Sequence, residues 1–337
     1  MPDTQISLVI PMFNSERHLK ACLDSVVRQT FRGFECLCVD DGSTDNTASI
    51  VRELAAQDSR FKLLSQPNAG CSAARNRGMR QASAPYLFFL DADDVLHPQA
   101  FEILLRLIER HEADAASFQY IRVPDTFTLD SPERYAPDAL QVTVETSPFR
   151  SFFSGKGRRE SASACPRLYR ASVLSGIAFP EGVHFAEDLV FVAKLMHRIR
   201  RLAATPATLL FYRDNPDSAT NRSMTERQIR SYAQAARILH DHFRCEALSH
   251  QEARMVSTFI STLVYKTCAA PFLRDGEGLK QEALLNLSRG LVSDLMGCGA
   301  VDMRSLSLRK RLICLCFLRG WLSLARRLDS LVSRKGR

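Results

Sequence analysis

The sequence predicts an α/β protein with a mainly parallel sheet flanked by helices, followed by a C-terminal α-helical extension. Two observations predict this class. Over the first 120 residues, short apolar stretches alternate with amphipathic helical patterns, which is typical of parallel strands joined by helices. From about residue 223 onward, the helical periodicity continues without a strand pattern. We therefore expect one domain over residues 1–222 and a helical region over residues 223–337.

The elements of the first domain follow in a regular order. Apolar stretches with β-branched or aromatic residues predict strands over residues 6–10, 34–40, 61–65, 86–90 and 115–121. Helical patterns lie between them: after Asn14 or Ser15, after the DGSTDN turn, over residues 70–82 and from Pro98. Residues 121–150 have strong turn signals and weak periodicity, so we expect an irregular insertion there.

Composition excludes several classes of protein. With 337 residues, 45% hydrophobic and 24% charged, the chain can fill a globular core. Its N-terminus lacks a secretory signal pattern, and its apolar runs are shorter than the roughly 20 residues of a membrane-spanning helix. Ten scattered cysteines include no C-x-x-C pair, which favours reduced, structural thiols. We therefore expect a cytoplasmic protein.

The net charge of +8 is concentrated at the C-terminus. Residues 303–337 carry ten Arg or Lys residues against one acid, Asp329. Arginines and large apolar residues recur there at helical spacing, as in basic helices that lie on an anionic membrane surface, where each cation contributes about 1 kcal/mol. A terminal helix packed on the protein body, with its charges in water, is the alternative. Nucleic-acid binding is not expected, because no base-stacking motif accompanies the charge.

The polar segments of the first domain all follow predicted strands. Ligands of parallel sheets bind beyond the carboxyl ends of the strands. Residues 11–14, 40–45, 68–70 and 91–94 would therefore meet along one edge of the sheet.

The densest of these segments is DADD at residues 91–94. In an extended chain Asp91 and Asp93 point to the same side, and such carboxylates repel unless a cation lies between them. Mn²⁺ or Mg²⁺ would complete its coordination with water and with phosphate oxygens of a nucleotide diphosphate. The alternative is that Asp93 or Asp94 only caps the helix near Pro98.

Three further segments carry chemistry. Asp41 can accept hydrogen bonds from a base or a ribose. Arg75 and Arg77 follow a glycine-containing turn at the start of a predicted helix, where main-chain N–H groups favour anions. The alternative for both arginines is a solvated position on the helix surface. Glu187 and Asp188 precede an apolar helical run, where capping is the alternative. The glycine motifs of P-loop and dinucleotide sites are absent from the sequence.

Together these segments resemble glycosyltransferase family 2, whose members adopt the GT-A nucleotide-sugar-binding fold. The matching segments are SLVIPMFNSE, VDDGSTDNT, NAGCSAARNRG, LDADD and AED, in the family's order. The resemblance covers roughly residues 5–222 and includes bacterial capsule, exopolysaccharide and lipopolysaccharide transferases.

The resemblance implies a role for each matching residue. It implies substrate binding by seven residues: Pro11, Asn14, Asp41, Arg75, Asp91, Glu187 and Arg213. Of these, Pro11 and Asp41 would line the nucleobase pocket, Asp91 would contact the ribose, and Arg75 would approach the base or diphosphate. Asp93 would ligate the metal, and Asp188 would be the general base. Arg213 and Ser218 would close over the diphosphate or acceptor, unless they belong to an ordinary polar loop.

The activity implied is an inverting, non-processive transfer of a hexosyl or N-acetylhexosaminyl group. The donor would be a nucleotide sugar, most simply a UDP-sugar, and the acceptor a hydroxyl of a cell-surface glycan or lipid-linked acceptor, reached from the inner face of the cytoplasmic membrane. The Q-x-x-R-W motif of processive synthases is absent, and the single tryptophan, Trp321, lies in the basic tail. The alternatives are a nucleotide-sugar-binding or scaffold protein without turnover, or a sugar nucleotidyltransferase, whose lysine-containing phosphate loop is missing here.

Overall fold

The computed structural model describes residues 4–130, 132–154, 162–214, 225–269, 282–319 and 325. The chain divides into two compact units. The first comprises residues 1–149, 160–182 and 191–222, and the second comprises residues 150–159, 183–190 and 223–337. The main break thus follows residue 222, but two short segments from the predicted first domain belong to the second unit.

The first unit is built on one sheet, which has nine strands among the described residues. The strands are β1 (Ile6–Met12), β2 (Phe34–Asp40), β3 (Phe61–Ser65), β4 (Tyr86–Phe89), β5 (Val95–Leu96), β6 (Ala115–Val123), β7 (Thr143–Glu145), β8 (Arg167–Arg170) and β9 (Leu202–Arg213). Their order is β3-β2-β1-β4-β8-β6-β9-β5, with β7 also paired to β9.

The fold of the first unit is α/β, and its sheet contains both parallel and antiparallel strand pairs. Strands β1 to β4 pair in parallel, and β6 pairs in parallel with β9. Strand β8 lies antiparallel between β4 and β6, and β5 and β7 run antiparallel to β9. The five predicted strands are all present and run in one direction, whereas the three reversed strands are too short to carry a clear periodicity.

The described chain up to residue 198 also contains seven α-helices. They are α1 (Glu16–Val27), α2 (Thr47–Gln57), α3 (Cys71–Gln81), α4 (Ala100–Arg110), α5 (Pro148–Ser154), α6 (Ala171–Leu174) and α7 (Glu187–Arg198). The apolar face predicted for α1 is buried, including Leu19, Leu23 and Val26. Helix α4 begins two residues later than predicted, because the short strand β5 and a turn come before it.

The core of the first unit lies along β1 and β4. Ile6, Leu8, Val9 and Ile10 are fully buried because β1 is covered on both faces. On β4, Phe89 packs edge-to-face on aromatic rings from the segment before α7 and from α7 itself. Each such buried side chain stabilises the fold by roughly 1.5–3 kcal/mol. The strands that carry the acidic segments are therefore rigidly supported.

The expected irregular segment at residues 121–150 is only partly irregular. Residues 121–123 extend β6, a 3₁₀ turn spans Pro137–Ala139, and β7 and the start of α5 follow. Long-range pairing with β9 produces β7, which local sequence signals did not reveal.

The second unit is helical, as predicted for the chain after residue 223. Its helices are α8 (Glu226–Arg244), α9 (His250–Val264), α10 (Glu282–Gly297) and α11 (Leu308–Leu318), with a π-helical turn at Tyr265–Ala269 and a 3₁₀ turn at Met303–Ser305. Capping boxes at Thr225 and Ser249 start α8 and α9.

The basic tail is described only in part. Residues 320–324 and 326–337, which include Trp321 and half of the basic side chains of the tail, lie outside the described residues. In α11, Ile313 and Phe317 are buried, whereas Leu308 and Leu312 are exposed. Within the described ranges, every helix is too short or too polar to cross a bilayer.

Candidate functional site

The carboxyl ends of β1 and β4 border a cavity of about 350 Å³. Ten residues line it: Pro11, Phe13, Asn14, Ser15, Arg17, His18, Cys71, Asp91, Ala92 and Asp93. Four of the residues predicted to bind substrate or metal therefore line one cavity, at the edge of the sheet where parallel strands end.

The turn at residues 91–94, called the acidic turn below, carries three carboxylates that lie in different surroundings. Asp91 and Asp93 both line the cavity. Asp94 is only 1% exposed, and its Oδ1 accepts a hydrogen bond of 3.1 Å from the main-chain N–H of Arg213. Burial, together with the charges of Asp91 and Asp93, raises the pKa of Asp94 well above its usual range. The carboxylates are thus close enough to interact without sharing one environment.

Helix capping does not explain the acidic turn. Helix α4 begins at Ala100 with Gln99 at its N-cap, and no side chain caps it. Strand β5 separates the turn from this helix. The alternative assignment of Asp93 or Asp94 as the cap of α4 is therefore wrong.

Arg75 pairs with Asp91, one of the residues that line the cavity. Its Nη2 donates to Asp91 Oδ1 over 2.8 Å, and its guanidinium lies 5.2 Å from the ring centre of Phe179. The Arg75 side chain is 4% exposed, so the alternative of a solvated surface residue is wrong for Arg75. A buried arginine beside Asp91 lowers the local negative charge and holds that carboxylate in a fixed orientation.

Asp41 connects β2 to the loop before α3. Its carboxylate accepts hydrogen bonds from Gln66 Nε2 at 2.7 Å, from the N–H of Ala69 at 2.9 Å and from the N–H of Gly70 at 2.8 Å. The residue is 3% exposed. Next to it, Gly42 has φ +77°, and a Cβ there would lie 2.9 Å from the main-chain nitrogen of Asn68. Asp41 thus holds the loop before α3 against the end of β2 through hydrogen bonds to the main chain of that loop.

Asn14 holds the β1–α1 turn against the loop that follows β2. Its φ is +48°, a left-handed conformation that asparagine tolerates. Its Oδ1 accepts from the N–H of Thr44 at 2.8 Å, and its own N–H donates to Ser43 Oγ at 2.9 Å. We expected the side chain of Asn14 or Ser15 to cap α1, but no side-chain hydrogen bond caps the N-terminus of this helix. Asn14 instead joins two of the segments that were predicted to meet.

The sequence-based prediction missed six of the ten cavity residues, among them Phe13, Arg17 and His18. Phe13 is 50% exposed, and its position directly after a predicted parallel strand, where ligands bind, is the sequence signal that could have revealed it. Arg17 and His18 both contact the carboxylate of Asp125, His18 at 3.1 Å. Burial lowers the pKa of His18, although Asp125 opposes the shift.

Arg213 lies behind the acidic turn. The residue is 3% exposed; its Nε donates to the main-chain oxygen of Asp93 at 3.0 Å, and its Nη1 donates to the main-chain oxygens of Asp125 and Phe127. These bonds direct the guanidinium to the protein main chain, and the substrate contact expected for Arg213 stays a prediction. Ser218, which was predicted to act with it, lies outside the described residues.

Glu187 and Asp188 form the first turn of α7 and belong to the second unit. Ala186, directly before them, has φ +67°, an uncommon conformation for a residue with a Cβ. Both acids are half-buried. The positive end of the helix dipole favours their ionised form.

The comparisons with known proteins agree with this architecture. The family described as Glycosyl transferase family 2 matches residues 7–175. A protein of Bacillus subtilis described as the uncharacterized glycosyltransferase EpsJ is 26% identical over 79% of this chain and 79% of its own length. The chain spans smaller shares, from 26% to 68%, of four further curated relatives.

Solved structures share the fold over nearly the whole chain. Staphylococcus aureus TarS residues 1–349, in complex with UDP-GlcNAc, matches with a TM-score of 0.74 at 19% identity, covering 99% of this chain and 92% of that one. The mannosyltransferase PcManGT from Pyrobaculum calidifontis, in complex with GDP-Man and Mn²⁺, matches with a TM-score of 0.52 at 15% identity, covering 99% and 88%.

Proposed function

Because the chain belongs to glycosyl transferase family 2, we propose that it is an inverting, non-processive, metal-dependent glycosyltransferase. Its donor is a nucleotide sugar, with UDP as the nucleotide, and its acceptor is a hydroxyl of a cell-surface glycan or lipid-linked acceptor. The observation that carries the proposal is the cavity in which Pro11, Asn14, Asp91 and Asp93 meet. UDP is chosen because the TarS structure was solved with UDP-GlcNAc.

The cavity has the parts that a nucleotide diphosphate needs. The exposed ring of Phe13 offers an apolar face for a base, and Arg17 supplies a positive charge for phosphate oxygens. Arg75 holds the cavity residue Asp91 in place through a hydrogen bond. The donor would therefore lie along the edge of the sheet, with its diphosphate toward the acidic turn.

A divalent cation fits the acidic turn if the donor supplies part of its coordination. Among the described residues, no three His, Cys, Asp or Glu side chains gather into a metal-binding group. Mg²⁺ and Mn²⁺ are commonly held by one or two carboxylates together with substrate phosphates, and Asp93 with its neighbour Asp91 matches that donor set. When bound, the cation would stabilise negative charge on the departing nucleoside diphosphate.

Asp188 is proposed as the general base. The positive end of the helix dipole favours the ionised form of a carboxylate at a helix start, and that form can take the proton of an acceptor hydroxyl. The hydroxyl oxygen then attacks the anomeric carbon from the face opposite the leaving group, so one displacement inverts its configuration. Glu187, beside the base, is assigned to acceptor binding.

The C-terminal region is proposed to bring the enzyme to its acceptor. The basic segment that begins in α11 combines cations with large apolar residues, a composition suited to the anionic inner surface of the cytoplasmic membrane. A lipid-linked acceptor would be presented there. The glycan would belong to a capsule, an exopolysaccharide or a lipopolysaccharide, and the transferred group would be a hexose or an N-acetylhexosamine.

Calorimetric titration tests the donor assignment. The purified full chain is titrated with UDP-, GDP-, CDP- and TDP-sugars, with and without Mn²⁺. We expect binding of one nucleotide class that strengthens with Mn²⁺, with UDP-sugars binding most tightly. If a folded sample bound none of these compounds, the proposal would be wrong.

A further inference from the structure

A second, smaller cavity borders the proposed donor cavity. It encloses about 170 Å³ and shares Asp91 with the donor cavity. Strands β6 and β9 supply Tyr120, Arg122 and Tyr212 to its wall, and the acidic turn supplies Asp94. The proposed function does not yet use any of these four residues.

Asp94 lines this cavity and carries an unsatisfied polar atom. Its Oδ1 is occupied by the N–H of Arg213, but its Oδ2 is buried and has no hydrogen-bond partner among the described residues. A buried carboxyl oxygen without a partner is costly, and such groups in native proteins usually await a ligand or a water molecule. A hydroxyl group can satisfy this oxygen in either protonation state, because a hydroxyl both donates and accepts.

Part of the wall of this cavity is aromatic. The rings of Tyr120 and Tyr212 lie 6.1 Å apart between centroids and are tilted by 59°, and Tyr120 is 42% exposed. The guanidinium of Arg122 lies 5.4 Å from the ring centre of Tyr212. Aromatic faces carry negative charge density, which attracts the polarised C–H bonds on one face of a sugar ring.

We propose that this second cavity binds one pyranose ring, with a ring hydroxyl hydrogen-bonded to Asp94 Oδ2 and one ring face against Tyr120 and Tyr212. The inference rests on the proposed function and names the residues that select the sugar. The volume suits a single ring, since cavities for drug-sized ligands begin at roughly 300 Å³. The ring belongs either to the transferred sugar of the donor or to the terminal sugar of the acceptor.

Two variants and a matched control test the inference in the full chain. Tyr120→Ala removes part of the aromatic wall, and Asp94→Asn changes the polar atom at nearly constant volume. Ile121→Ala is the control, because Ile121 is the next residue on β6, is 46% exposed and lines a different cavity. All three are titrated with UDP and with UDP-GlcNAc in the presence of Mn²⁺. They are then mixed with UDP, Mn²⁺ and methyl glycosides of glucose, galactose, mannose and N-acetylglucosamine, and glycoside binding is followed by saturation-transfer NMR.

Two results support the inference and separate the sources of the ring. If the ring comes from the donor, Tyr120→Ala and Asp94→Asn weaken UDP-GlcNAc binding by roughly three- to tenfold and leave UDP binding unchanged. If it comes from the acceptor, both nucleotide affinities stay as in the wild type, and the saturation transfer to the glycosides is lost. The Ile121→Ala variant behaves as the wild type in both cases.

Two other results would contradict the inference. If the wild type binds UDP but Tyr120→Ala and Asp94→Asn match Ile121→Ala in every measurement, the cavity does not bind a sugar, and the proposed function stands. If the wild type binds neither UDP nor UDP-GlcNAc, the proposed function fails, and the inference fails with it. Thermal unfolding of each variant shows whether Asp94→Asn has kept its fold, and Tyr120→Ala, at an exposed position, provides the test if it has not.

Discussion

Arg213 Nε donates a hydrogen bond to the main-chain oxygen of Asp93 over 3.0 Å, and the main-chain N–H of Arg213 donates to the carboxylate of Asp94. One buried residue at the end of β9 thereby holds two consecutive residues of the acidic turn. The same guanidinium also binds the loop after β6 through the carbonyl oxygen of Phe127. Arg213 therefore positions the proposed metal ligand from behind, without reaching into the cavity.

Replacing Arg213 with lysine should weaken the response to metal. A lysine keeps the charge but cannot donate in three fixed directions from a planar group, so the turn that carries Asp93 becomes less well positioned. We expect the concentration of Mn²⁺ required for half-maximal activity to rise about tenfold, with a smaller loss of kcat at saturating Mn²⁺. The measurement is a Mn²⁺ titration of transfer or donor hydrolysis. Arg106→Lys, at a half-exposed position on α4, is the control, and an equal effect there would contradict the positioning role.

Asp93→Asn should remove the metal dependence of donor binding. The amide keeps the shape of the side chain but loses the charge that a hard cation requires. In calorimetric titrations we expect the variant to bind UDP equally weakly with and without Mn²⁺. Asp138→Asn serves as a charge control, since this aspartate is 80% exposed on the surface. If Asp93→Asn still bound UDP more tightly with Mn²⁺, the assignment of Asp93 as the metal ligand would be wrong.

Asp188→Asn should abolish transfer and spare donor binding. Without a carboxylate the acceptor proton has no base, whereas the nucleotide contacts lie on other residues. We expect kcat to fall at least about a hundredfold, in line with the usual contribution of a general base, with an unchanged Kd for the donor. Glu226→Gln, in the first turn of α8, controls for the loss of an acid at a helix start. Unchanged turnover in Asp188→Asn would exclude Asp188 as the base.

Gly78→Ala should destabilise the first unit. A Cβ on Gly78 would lie 2.3 Å from Cγ1 of Val9, a fully buried side chain on β1, so α3 would have to move away from the sheet. Such overpacking costs about 1–3 kcal/mol of unfolding free energy. Gly290→Ala, on an exposed position of α10 with nothing within 4 Å of the added Cβ, should instead be neutral or stabilising by up to about 1 kcal/mol. Chemical denaturation of both variants measures the difference.

Glu35 should make the free energy of unfolding depend on pH in the acidic range. Burial alone would raise its pKa, but hydrogen bonds from Lys62, Ser7 and Ser83 outweigh burial and lower the pKa from 4.5 to about 2. Because the folded-state pKa lies below the unfolded one, the stabilisation is complete above pH 4.5 and is lost as the pH falls toward 2. Its size is roughly 3 kcal/mol. Glu35→Gln should show a shallower loss of unfolding free energy between pH 5 and 2, and an equally steep loss would contradict this origin.

Local patterns predicted the strands and helices that position the cavity. Strands β1, β2 and β4 are rich in apolar residues because they are buried on both faces, and α1 and α4 carry one apolar face each, so the strand and helix patterns are strong. The rule that ligands bind at the carboxyl edge of parallel strands then brought Pro11, Asn14, Asp91 and Asp93 together. Short or irregular segments such as β7 and β8 gave no comparable signal, since their pairing partners lie far away in the chain.

The sequence by itself determined the fold class, the family and the edge of the sheet on which the acidic turn lies. The fold class and the edge follow from residue type and from spacing along a strand or a helix, which are local properties, and the family follows from the resemblance of five short segments to glycosyltransferase family 2. The tertiary structure decided what each side chain contacts: Arg75 meets Asp91, Arg213 lies behind Asp93, and Asp94 faces a second cavity. These contacts join residues from 16 to 120 positions apart. Only the packing of distant segments brings such partners together, so no local pattern could have predicted them.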